Sequence, residues 1–277
     1  DLDQGVRRSG ALANMTGYGS NFFTKDVTAR GVRVVAAGAV GGQAAIPDAF
    51  TEKVAKTIQF FTEPGGDVVE ATQDTFIKTL SGETGTYHAG VPTLQRVARG
   101  QGVDYTPNFL SDAGIMSWGL TPLFDSHKAN DMVWYLNASG TPGDGDNDAA
   151  EVIEHVFHTL HMFGLPARTM KMYPGLDGDF KSGPAYLAMK QAIDNGKFDP
   201  SAYASAWDTD NDVFEVALKE YLYLLNFAMF DYTSLWDGGS LTPEWTDDMR
   251  TPAGVQSNNP LEDSVQIMEQ LLDLLGG

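Results

Sequence analysis

Apolar side chains recur at three- and four-residue intervals in several separate stretches of this chain, and most of those stretches carry helix punctuation at both ends. Residues 47–64 begin with Pro47 and Asp48, place apolar residues at 50, 54, 58 and 61, and stop at Pro64. Residues 67–82 repeat the design with Val69, Phe76, Ile77 and Leu80 on one side and Gly82 at the end. Joined by Pro-Gly-Gly, the two predict a helical hairpin. Further helices are expected over 126–139, 149–164, 182–196 and 210–239, and over the closing stretch from 258. For 182–196 the cap is Ser182, Pro184 lies in the first turn and Gly196 is the stop.

Alternation of the β kind is scarcer. Residues 31–42, GVRVVAAGAVGG, form the clearest strand signal. Residues 83–125 are rich in Gly, Pro and Thr and read as loops with one or two short strands, while 1–30 lack sustained periodicity and read as an irregular arm. The expected fold is mainly α, a helical domain with a few short strands and long Gly/Pro-rich loops, with α+β as the alternative. The expected organisation is an arm over 1–30 and one mostly helical domain over 31–277.

Composition narrows the function classes. The chain has 277 residues, enough for a sizeable core. Thirty-seven acidic against 18 basic residues give a net charge of −19, which repels phosphate backbones, so nucleic acid is not an expected partner. No cysteine is present, so thiolate catalysis, disulfides and Cys-based metal sites are excluded, and a transition metal must be held by His, Asp or Glu. The longest apolar-rich run, YLYLLNFAMF at 221–230, is too short and too polar at Asn226 to span a bilayer. The acidic, cysteine-free composition points to a secreted or extracytoplasmic protein.

Residues 149–164, AAEVIEHVFHTLHMFG, hold three of the five histidines. At about 100° per residue, Glu151, Glu154, His155, His158, His161 and Met162 share one arc of the helix. Val152, Ile153, Val156, Phe157, Leu160 and Phe163 take the complementary arc. No Lys, Arg or Gln falls within the segment, as an ordinary solvent-facing helix would allow. Spacings of three and four bring neighbouring imidazoles and carboxylates within reach of a common divalent ion. Two assignments are open. His155 and His158 form an HxxH ligand pair with Glu154 or Glu151 as the base for a metal-bound water, or Glu154 and His158 are themselves the ligands. On the 210–239 helix, Glu220 falls among Leu224 and Phe227, an apolar side where a carboxylate needs a partner.

The stretch EHVFHTLH resembles the metal-binding helix of zincin metallohydrolases, whose HExxH pattern supplies two His ligands and a Glu that activates water. Here the first two residues are exchanged. His158 matches the second ligand, Glu154 stands at the first and His155 at the catalytic Glu. The likeness covers about eight residues and implies zinc, hydrolysis and a peptide or other small substrate. By analogy with zincins that draw a third ligand from a later helix, it implies Glu220 as that ligand.

Other chemistry is less well supported. The Asp-rich stretches 144–148 and 208–212 lack the glycine and twelfth-position glutamate of an EF-hand, so capping competes with calcium there. His88 and His127 are lone histidines, and Trp236, Trp245, Tyr221 and Tyr223 read chiefly as packing residues. The expectation is a metal-dependent hydrolase with Glu154 as base and a metal set drawn from His155, His158, Glu220, His161 and Glu151. The divalent metal is zinc, with calcium as the second choice. The competing class is a non-catalytic exported acidic protein that binds metal or self-associates.

Overall fold

The computed structural model describes residues 9–64, 68–84, 90–100, 105–129, 131–136, 145–165, 183–230, 232 and 244–258. Among the described residues 49% are helical and 16% are in strands, including a five-stranded mixed sheet, so the fold is α+β, which corrects the mainly α expectation. The chain divides into two compact units, one built from 1–63, 77–84 and 88–163, the other from 64–76, 85–87 and 164–277.

The first unit contains the sheet. Its strands are β1 (Ala13–Asn14), β2 (Phe23–Ala29), β3 (Val32–Ala37), β4 (Thr93–Gly100) and β5 (Met132–Leu136), lying side by side in that order. β1, β2 and β3 pair antiparallel, whereas β3 with β4 and β4 with β5 pair parallel. Each parallel pair needs a crossover. Helices α1 (Asp48–Thr62) and α2 (Glu70–Leu80) lie in the chain between β3 and β4, and the short α3 (Asp112–Ser117) and α4 (Thr121–Asp125) between β4 and β5. Helix α5 (Gly145–Gly164) follows β5.

Helix α1 forms as its pattern predicts, burying Phe50, Val54, Ile58 and Phe61 and turning extended at Glu63 before Pro64. The strand expected in 31–42 is β3. Three strands are hidden in the sequence, β1 and β2 within 1–30 and β5 within 126–139. β2 lies in the stretch that reads as an irregular arm, and its hairpin to β3 turns on Arg30 and Gly31 with φ of 49° and 85°. Positive φ at both positions is the geometry that Asn-Gly usually announces, and arginine at the first position conceals it. β5 lies in 126–139, where the sequence predicts a helix. Its continuous apolar run MVWYL has no alternation to read, which is how a strand buried on both faces appears.

Side chains of alternate parity on the parallel strands meet different helices. Arg99 on β4 lies over the Tyr135 ring on β5, and Tyr135 meets Phe50 of α1 at 5.1 Å between centroids. Phe61 of α1 in turn meets Phe157 of α5 at 4.5 Å. On the opposite face, Arg96 reaches over Phe124 of α4. The sheet thus carries α1 and α5 on one face and α4 on the other.

The second unit is helical among its described residues. Besides residues 70–76 of α2 it comprises α6 (Pro184–Asp194), α7 (Ser201–Ala204), α8 (Asn211–Met229), a 3-10 turn at Asp247–Met249 and α9 (Pro252–Asn258). Helix α8 is the central one, packed against α6, α7 and α9. Tyr221 lies against Phe198 and Trp245, and the Trp245 indole donates to the Met249 carbonyl at 3.1 Å. Tyr221, Tyr223 and Trp245 are buried packing residues. The N-cap of α6 is Gly183 in place of the expected Ser182, and Ser182, Trp236, His88 and most of the stretch expected as a closing helix lie outside the described residues.

Candidate metal centre

The histidine helix forms, but the later half of its polar arc does not face water. From Val156 to Phe163 every residue is buried, including His158 and His161. A helix buried all round must satisfy its polar groups inside the protein. The second arc of α5 is therefore an interior surface from its middle onward.

His158 finds its partner on the sheet. Its Nδ1 lies 2.5 Å from Oδ2 of Asp131, the residue immediately before β5. The same carboxylate oxygen lies 3.2 Å from Nδ1 of His155. The Met132 backbone N–H donates to Oδ1 at 2.7 Å and fixes the carboxylate plane. One potential ligand atom from each of Asp131, His155 and His158 lies within 4.8 Å of the others, a group that could hold a metal ion. The two imidazoles are nearly perpendicular, with centroids 5.5 Å apart.

Local strand geometry presents Asp131 to α5. Thr93 on β4 bridges Lys128, and Arg96 pairs with Met132, so the chain runs one residue longer on the β5 side between these two pairings. Such an extra residue bends a strand and re-aims a side chain. Asp131 is the site residue that sequence reasoning missed. Reading 126–139 as a helix removes the one signal available, an aspartate immediately before a buried strand.

Charge reinforces the arrangement. Burial alone would raise the Asp131 carboxyl, but hydrogen bonds from His155 and His158 hold it well below the ordinary carboxylate range. Burial opposes the charged form of His155, yet Asp131 and Glu151, with the nearby charge of Glu154, raise it well above the ordinary imidazole value. Glu151, whose Oε2 is 3.6 Å from His155 Nε2, is lowered by that contact. Across the sheet, burial pulls the Arg96 guanidinium down to about 10 while the Asp131 charge pushes it back up.

The residues expected at the site are placed as follows. His155 and His158 are brought together, with Glu151 at the exposed edge and Glu154 half-buried nearby on the same helix. His161 stacks on Phe157, with centroids 5.2 Å apart and planes 13° apart. Glu220 is half-buried on α8 of the second unit. His127, lowered by burial, lies with Nδ1 3.0 Å from both the Leu123 carbonyl and Ser126 Oγ. At the second Asp-rich stretch, Asp210 accepts from the backbone N–H of Asp212 and Val213, capping α8.

The donor set is two imidazoles and one carboxylate. In a tetrahedral site with bonds near 2.0 Å, neighbouring ligand atoms are about 3.3 Å apart. The His155 to Asp131 separation already has that length. The His158 to Asp131 contact is a short hydrogen bond of 2.5 Å and would have to open by about 0.8 Å to reach that spacing. Among the described residues no helix is long and apolar enough to cross a membrane. Comparison with protein-family models, curated proteins and solved structures finds no match.

Proposed function

We propose that the protein is a metal-dependent hydrolase whose ion is held by Asp131, His155 and His158, with Glu154 taking a proton from the water on that ion. One observation carries this reading: two imidazoles one helical turn apart converge with a carboxylate on a cluster less than 5 Å across. Three protein ligands leave a fourth position for water, whose pKa a zinc ion lowers enough to make a nucleophile at neutral pH. Glu154 is on the same helix as the two histidines, and its charge already acts on His155. Zinc suits two nitrogens and an oxygen; calcium prefers six or more oxygens. The zincin likeness makes a peptide the first substrate to try.

Elemental analysis of the zinc-loaded chain tests the centre. About one zinc per chain is expected, lost in Asp131→Asn and in His158→Ala. Glu154→Gln keeps the zinc and loses hydrolysis of peptide substrates. Zinc retained at full occupancy in His155→Ala/His158→Ala overturns the site. Loss in Glu220→Gln but not in Asp131→Asn replaces Asp131 by the carboxylate that the zincin likeness implies.

A second reading is favoured by burial. The His158 side chain is 1% exposed and Asp131 and His155 are 16% and 12% exposed, so the centre is shielded. An ion held there without an exchangeable position would make this a non-catalytic metal-binding protein, in keeping with an acidic exported chain. A cobalt(II)-loaded protein whose visible spectrum ignores added azide supports that reading over the hydrolase.

A further inference from the structure

One strand away from Asp131 lies a glutamine that the hydrolase reading leaves unused. Gln95 is fully buried on β4, and its side-chain Oε1 has no hydrogen-bond partner. Its amide Nε2 is engaged, donating to the Arg96 carbonyl at 3.3 Å. The Thr93 hydroxyl, two residues earlier and therefore on the same face, is also buried without a partner. A buried acceptor with nothing to accept is costly and uncommon, and two on one strand face ask for a group to fill them.

Position says which group. Arg96 pairs with Met132, and Gln95 and Asp131 are the residues just before them on these adjacent parallel strands. Gln95 shares parity with Arg99, which reaches Tyr135 on the face that carries α1 and α5. Asp131 reaches that same face, since its carboxylate meets His158 of α5. Gln95 and Asp131 therefore reach the same face of the sheet, the one that carries α5.

We propose that Gln95 is a positioning residue of the metal centre, its Oε1 accepting a hydrogen bond from the water on the ion held by Asp131, His155 and His158. This rests on the metal reading above. A neutral amide oxygen can only accept here, so it orients the water's O–H without displacing a ligand. Groups of this kind behind or beside a metal typically change affinity or activity about 10- to 100-fold.

Titration of the full-length chain with cobalt(II), followed by its visible spectrum, tests the assignment. Wild type binds one ion. Gln95→Met, matched in volume but without an acceptor, is expected to bind at least about tenfold more weakly with an altered cobalt spectrum. Gln95→Glu retains the acceptor oxygen and is expected to hold cobalt no less tightly than wild type. It also serves should the methionine variant fail to fold. Wild-type affinity and spectrum in a folded Gln95→Met, or loss of affinity in folded Gln95→Glu, overturns the role of Gln95 while leaving the centre intact. Failure of the wild-type chain itself to bind cobalt or zinc overturns the metal reading and this proposal with it.

Discussion

Lys128 shows how much this structure asks of single side chains. It is 5% exposed, and its ammonium donates to the Thr79 carbonyl in the last turn of α2 at 2.6 Å, on the helix end where a cation is favoured. Burial nevertheless pulls its pKa from 10.5 to about 8. The unfolded chain therefore holds more protons than the folded one between those values, and stability rises with pH across that window. Urea titrations from pH 8 to 10.5 should show a gain on the order of 3 kcal/mol that Lys128→Met abolishes. The same scale explains why the site is half legible in the sequence. His155 and His158 announce themselves by spacing on one helix, because i and i+3 contacts are local. Asp131 does not, because its partner is 27 residues away and only strand pairing brings the two together.

At the level of elements, punctuation is legible where it is local. Helices α1, α2 and α6 carry their own boundaries in Pro, Asp and Gly. Helix α8 is started by Asp210, whose single carboxylate oxygen takes two backbone N–H groups at 3.0 and 3.2 Å. Asp210→Ala should cost about 1 kcal/mol in thermal or urea unfolding. An equal loss in calcium and in chelator marks a cap; a loss seen only with calcium marks an ion site. Strands are harder to read. β2 and β5 depend on neighbours for their hydrogen bonds, and their own sequences give either a turn with arginine in an unusual place or an apolar run without a period. The mainly α expectation comes from that asymmetry: helices are written in one segment, sheets in several.

Across the whole molecule, charge is what the fold leaves uncompensated. A net charge of −19 on 277 residues disfavours the compact state by self-repulsion, and salt screens it over about 10 Å at 0.1 M. The melting temperature of the metal-free protein should therefore climb by several degrees from 10 to 300 mM sodium chloride; a flat or falling dependence contradicts this. A cation bound at Asp131, His155 and His158 does something that salt cannot. It joins the foot of a strand to the middle of a helix 27 residues later, closing that length of chain into a ring. By loop-closure entropy alone such a ring is worth roughly 3–4 kcal/mol against the unfolded chain. In a protein without a single cysteine, the ion would be a removable rivet, set by metal supply and drawn by a chelator.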